Sequence, residues 1–226
     1  MKKRSICVCL PGRPFEPDWV FGWSDLLIHL LSSGMDVRYV TAQGNNIYQA
    51  RECCLRFEQE IAKTQSPSDL ILWIDSDNPP TSENFDLLLG ALDASPEVSI
   101  VGGWYRFADP ATKAVHIAAG WTDRNVSEQE LLEADHLIET EFVGFGMCLM
   151  RRKVIEDIGL EKCFEPLIFK APKNGRTWAT DDVGFCQRAR EKGHRVFVHP
   201  LVFAHHSKIL NVPASFVGET PALKET

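Results

Sequence analysis

Two hydrophobic rhythms alternate along this chain. Short apolar runs recur at residues 5–10, 36–41, 70–74 and 98–103, each bounded by turn formers, and the stretches between them carry apolar side chains at helical spacing. Leu26, Leu27, Leu30 and Leu31 mark a helix over 24–33 that Gly34 closes. Ile47, Ala50, Cys54, Phe57 and Ile61 mark a second, capped by Asn45 or Asn46, and Leu87, Leu88, Leu89 and Leu92 mark a third over 82–94. Strand, helix, strand in this order predicts parallel strands joined by crossover helices, so the first 103 residues read as half of a Rossmann-like α/β sheet.

The rhythm changes after residue 103. Residues 104–107 are aromatic and basic, 115–119 suit a short strand, and Ser127-Glu128-Gln129-Glu130 is a capping box opening a short helix. A strand is expected over 136–143. Gly144-Phe145-Gly146 leads into another that ends at Met150, followed by a helix over 152–158 stopped by Gly159. Residues 170–178, polar with Pro and Gly, read as a mobile loop. Thr180-Asp181-Asp182 opens a helix that ends at Gly193, and 194–206 reads as a strand pair or a bent strand finishing in His205 and His206.

The densest chemistry follows the apolar run Leu70 to Ile74, where Asp75-Ser76-Asp77 sets two carboxylates one residue apart. A five-residue apolar run is what a strand buried on both faces looks like, and the carboxyl ends of such strands are where open α/β sheets bind ligands. Acids this close need a cation or hydrogen-bond donors between them, and all-oxygen ligands suit Mg²⁺ or Mn²⁺ carrying a phosphorylated molecule. The same residues also fit a plain strand end, with Asp77 or Asn78 capping a turn before Pro79 and Pro80. Phosphatases with an aspartate nucleophile share the spacing too, but Asn78-Pro79-Pro80-Thr81 departs from what usually follows their second acid.

Three further groups could serve such a site. The loop at Pro11-Gly12-Arg13 offers backbone amides and a guanidinium to an anion, and Arg51 lies one turn into the helix that Asn46 can cap. Asp181 and Asp182 suit a helix N-terminus for dipole reasons alone. Beside a metal and nucleotide, one of them can act as general base, Asp182 first and Asp181 as alternate or orienting group. Adjacent residues of a strand point to opposite faces, so of His205 and His206 at most one reaches a metal at Asp77, and His206 is favoured.

Bulk numbers narrow the partners. The 226 residues carry 24 basic against 31 acidic side chains, a net charge of −7, which argues against a general electrostatic grip on nucleic acid or anionic lipid. The seven cysteines form no CxxC array, so reduced thiols and a cytoplasmic setting are expected. Basic Met1-Lys2-Lys3-Arg4 precedes an apolar stretch too short for a signal peptide or membrane span.

Together these segments resemble the GT-A fold glycosyltransferases, specifically family 2-like enzymes, including short bacterial and phage-encoded members. The resemblance is carried by Asn46-Ile47 with Ala50-Arg51, Leu72-Trp73-Ile74-Asp75-Ser76-Asp77, Val101-Gly102-Gly103-Trp104-Tyr105, Gly144 through Arg152, Asp181-Asp182-Val183-Gly184-Phe185-Cys186 and the histidine after the last strand. It implies a mixed central sheet with helices on both faces. One domain is implied, with a nucleotide-sugar-binding half over 1–103, an acceptor and catalytic half over 104–210, and a tail over 211–226.

The resemblance also implies a nucleotide-diphosphate sugar donor, UDP-sugar favoured, whose diphosphate is bridged by Mn²⁺ or Mg²⁺ to Asp75 and Asp77. Asp77 would be the direct ligand, Asp75 nearer the ribose, and His206 would complete the shell. Pro11, Arg13, Asn46, Arg51 and Ser76 are the implied nucleotide contacts, and Gly144 and Gly146 would let backbone approach the sugar. The acceptor is a hydroxyl, on a saccharide or on a hydroxymethylated base in phage DNA; Lys170, Lys173 and Arg176 would offer the latter its only basic path, and a phage enzyme would work in the host cytoplasm. Two departures stand out: Asp181 where the family commonly has Glu, and Glu52 where it has Asn. A binding module without turnover remains the alternative from another class.

Overall fold

Burial on both faces explains the unbroken apolar runs. The computed structural model describes residues 3–12, 15–108, 115–121, 123–171 and 175–206, and its central-sheet strands are β1 (Ser5–Pro11), β2 (Asp36–Ala42), β3 (Leu70–Ile74), β4 (Val98–Trp104), β5 (Ile138–Thr140), β6 (Met147–Arg151) and β7 (Arg195–Phe203). These seven lie in the order β2-β1-β3-β6-β4-β7-β5. β1 pairs parallel with β2 and β3, and β7 parallel with β4. β6 runs antiparallel between β3 and β4, and β5 antiparallel to β7 at the far edge. Every residue of β1, β3 and β4 is buried, whereas edge strand β2 mixes exposed and buried positions.

Among the described residues six helices cover the two faces: α1 (Pro17–Ser32), α2 (Ile47–Ala62), α3 (Ser82–Ala94), α4 (Glu128–Glu133), α5 (Arg152–Ile158) and α6 (Asp181–Glu191). Leu26 and Leu30 of α1 join Leu88 and Leu92 of α3 against Ile6, Val8 and Leu72. On the other face Cys54 of α2, Ile155 of α5 and Phe185 of α6 pack against Cys7, Cys9 and Trp73. The result is the mixed α/β sheet with helices on both faces that was expected. All seven cysteines are free. Among the described residues no helix is long and apolar enough to cross a membrane.

Three local expectations need correction. Helix α1 starts at Pro17, well before residue 24, because Pro17 opens the first turn, Asp18 complements it and Trp19 is buried. Within it, Gly22 lets the Pro80 carbonyl approach where a Cβ would otherwise stand. The strand expected over 136–143 is two: Ile138–Thr140 pairs with β7 and Phe142–Val143 with Ala119–Gly120, the chain changing partner at Glu141. Residues 170–178, expected as a loop, fall largely in a two-stranded hairpin, Ile168–Ala171 against Gly175–Trp178. The histidine-bearing end is the bent-strand alternative, since β7 shifts register between Val198 and Phe203, around Pro200. Arg13, Lys173 and the tail over 211–226 lie outside the described residues.

Candidate functional site

Topology gathers most of the predicted residues at one edge of the sheet. The parallel strands β1, β3, β4 and β7 end there and antiparallel β6 begins there, so Gly12, Asp75 to Asn78, Tyr105, Gly146 and His206 share it. The Asp75 N–H donates to the Gly146 carbonyl at 3.3 Å and ties two of these ends together. The cap of α2 and the first turn of α6 face the same edge through Arg51 and Asp181.

The acids of Asp75-Ser76-Asp77 part company. The Asn78 N–H donates to the Asp75 carbonyl at 3.1 Å, closing a β-turn that rotates Asp77 away from Asp75. Asp75 faces Arg51, whose Nη2 lies 2.9 Å from Oδ1 and donates to Oδ2 at 3.1 Å. The Arg51 Nε donates to Asp181, so a guanidinium only 3% exposed bridges two carboxylates from distant parts of the chain. It packs against the rings of Trp73 and Phe145, 5.5 and 5.0 Å from their centroids. Burial pushes the Asp75 carboxyl up; Arg51 opposes this, while Asp181 and Asp77 add to it. Arg51, expected at a phosphate, thus faces two carboxylates, and Asp75, expected beside Asp77 on a metal, faces Arg51.

Asp77 meets His206 instead. Its Oδ2 lies 3.0 Å from His206 Nε2, and the other ring nitrogen, Nδ1, lies 3.1 Å from the Arg106 carbonyl. A carbonyl only accepts, so Nδ1 carries a proton. In the neutral ring Nε2 then presents a lone pair to a carboxylate oxygen, a contact that is favourable only with a proton or a cation between them. Two ligands on adjacent corners of an octahedron with bonds of roughly 2.1 Å sit about 3 Å apart, so the pair fits one divalent ion. Among the described residues no three of His, Cys, Asp and Glu gather closely enough to hold an ion by themselves, so further ligands would come from a bound molecule. His205 turns elsewhere: its ring stands edge-on to Phe203, and its carbonyl accepts from Asn78 Nδ2 at 2.7 Å. Asn78 is the residue that sequence reasoning missed here. It looked like one more turn former, yet it is buried and clamps the end of β7 so that His206 faces Asp77.

Asp181 and Asp182 also separate. Asp181 is locked by Arg51, while Asp182 Oδ1 accepts from the Thr180 hydroxyl at 2.5 Å and the Val183 N–H at 2.8 Å. Burial and then Asp181 push the Asp182 carboxyl up to about 6, against the pull of Thr180, Arg51 and the Val183 N–H. A carboxylate poised near neutrality is a candidate general base.

The remaining candidates are placed as follows. Asn46 caps α2, its side chain accepting from the Gln49 N–H at 3.0 Å. Pro11 ends β1, and a Cβ on Gly12 would stand 3.2 Å from the Ser76 hydroxyl, so that loop borders the acidic turn. Cβ atoms on Gly144 and Gly146 would fall 2.4 Å from the Tyr105 hydroxyl oxygen and 2.6 Å from Asn78 Oδ1, which gives both glycines a packing reason. Gly146→Ala is therefore expected to lower stability by about 1–3 kcal/mol. Gly90→Ala, in open space on α3, should leave it unchanged or slightly raised, and urea unfolding of both variants checks the contrast. Of the tryptophans on this side, Trp104 is buried with its N–H on the Pro200 carbonyl, and Trp121 lies under the Arg124 guanidinium.

Solved structures share this architecture. A197 from STIV matches with a TM-score of 0.52 at 15% identity, over 91% of this chain and 86% of that one. GalNAc-T7, solved with UDP, GalNAc and Mn²⁺, matches with a TM-score of 0.52 at 11% identity over 96% of this chain. This chain has a GT-A fold. It spans 46% of the GalNAc-T7 chain, and identities this low speak for fold alone. No protein-family model and no curated protein matches the sequence.

Proposed function

We propose that this chain is a metal-dependent glycosyltransferase that moves a sugar from a nucleoside-diphosphate donor, UDP-sugar favoured, to an acceptor hydroxyl with inversion. The observation that carries the reading is the Asp77 and His206 pair, 3.0 Å apart with its other ring nitrogen committed, at the same sheet edge as an Asp182 carboxyl raised to about 6. The fold shared with a protein solved with UDP, GalNAc and Mn²⁺ supports it.

In this reading Asp77 and His206 hold a divalent ion, Mn²⁺ favoured over Mg²⁺ because a hard Mg²⁺ gains little from an imidazole. Bound there, such an ion would supply Lewis-acid stabilisation of the charge on the departing nucleoside diphosphate. Residues 1–103 hold the donor, with the Pro11-Gly12 loop and Ser76 beside the nucleotide. Asp182 accepts the proton of the attacking hydroxyl while its oxygen bonds the anomeric carbon. The electron pair of the broken C–O bond leaves with the diphosphate. Residues 104–210 supply the acceptor side, a saccharide or a hydroxymethylated DNA base.

The test is release of UDP from UDP-sugars with Mn²⁺, with and without candidate acceptors. Asp182→Asn is expected to slow turnover about a hundredfold while Mn²⁺-dependent UDP binding persists. A non-catalytic module would bind and never turn over; an aspartate-nucleophile phosphatase would release inorganic phosphate and lose it in Asp75→Asn. The pH profile is a second check. Asp182 must be ionised to accept a proton, so kcat/KM should fall tenfold per unit below about pH 6. Thr180→Val removes a bond that favours the ionised form and should move that limb upward.

A further inference from the structure

Tyr105 is a residue that neither the metal pair nor the base accounts for. It follows β4 directly, and its carbonyl accepts from the Ala118 N–H at 3.1 Å, which fixes the backbone. Its ring lies 5.1 Å from the His206 ring on one side and against Gly144 and Gly146 on the other. The hydroxyl therefore stands over the Gly144 backbone in the field of Asp182, Asp75 and Asp77. None of these acids accepts from it. Asp75 is turned to Arg51, Asp77 to His206, and Asp182 to Thr180 and Val183. Among the described residues the Tyr105 hydroxyl has no hydrogen-bond partner. A half-buried phenol without an acceptor, beside acids whose bonds go to other partners, is a donor waiting for an oxygen of something else.

We propose that the Tyr105 hydroxyl donates a hydrogen bond to a hydroxyl oxygen of the transferred sugar, which would lie between the Asp77 and His206 pair and Asp182. The inference rests on the transferase reading above and refines it. The diphosphate belongs beside Asp77 and His206 and the attacking hydroxyl beside Asp182, so the group between them is the sugar. The three acids can only accept from that sugar's hydroxyls while ionised, and a sugar oxygen that needs a donor finds an uncharged one in Tyr105. Tyr105 would thus help decide which sugar the site takes.

The experiment uses Tyr105→Phe, which keeps the ring and its packing. With Mn²⁺, UDP affinity should stay within about twofold of wild type, while kcat/KM for the UDP-sugar falls about tenfold, the loss expected of one neutral hydrogen bond. Donors lacking one sugar hydroxyl at a time then locate the contact. For one of them the wild-type to Phe ratio should fall to near one, a result that a purely structural tyrosine would not produce. Equal losses for UDP and UDP-sugar, or the same ratio for every deoxy donor, would overturn the Tyr105 contact and leave the transferase reading standing. A wild-type protein that binds no UDP with Mn²⁺ overturns both.

Discussion

Asp77→Ala is expected to lower kcat/KM for sugar transfer by a thousandfold or more, about the scale of charge stabilisation that a catalytic metal supplies. Its carboxylate is 45% exposed and its partner among the described residues is His206, so little of the fold depends on it. The loss should therefore appear in the Mn²⁺ dependence of UDP release and leave the thermal unfolding midpoint in place. His206→Ala should be milder, raising the Mn²⁺ needed for half-maximal rate by roughly ten- to a hundredfold. An Asp77→Ala protein that turns over donor at the wild-type rate at the same Mn²⁺ would remove the metal from the mechanism.

Arg51→Met should instead damage the fold. Removing the guanidinium leaves the buried Asp181 and the partly buried Asp75 without a counter-charge, and breaking a buried pair in this way typically costs about 3–5 kcal/mol. Against a domain stability of roughly 5–15 kcal/mol that is a large share. Arg51→Lys should recover only part, because one ammonium cannot span both acids as the planar fork does. The sign with pH follows from the carboxyls. Burial already raises Asp75 and Arg51 alone pulls it down, so Asp75 in the variant titrates higher still. The penalty of its stranded charge is full above that raised value and shrinks as protonation removes the charge. The stability deficit should accordingly be larger at pH 7.5 than at pH 5 in urea unfolding. An equal deficit at both pH values would mean that Arg51 acts through packing on Trp73 and Phe145.

The two effects separate function from scaffold within one acidic cluster. Asp77 meets His206 from the end of β7 and Asp182 its own neighbours Thr180 and Val183, while Asp75 and Asp181 are welded to Arg51. In the proposed reading the Asp75-Ser76-Asp77 motif is half ligand site and half brace.

What the sequence determined by itself is whatever depends on neighbours within a turn or two. The strands end where apolar runs meet turn formers, Asn46, Thr81 and Ser127 cap α2, α3 and α4, and Gly159 stops α5 with φ at +88°. Those signals are local hydrogen bonds and periodicities, and they carried the α/β class and the placing of two acids at the end of β3. The tertiary structure alone decided that β6 inserts antiparallel between β3 and β4, that β7 bends to bring His206 to Asp77, and that Arg51 reaches Asp181 across 130 residues of chain. Pairing between strands and bridging between charges depend on which surfaces meet after the chain has folded, and a charged or apolar residue carries no local mark of its distant partner.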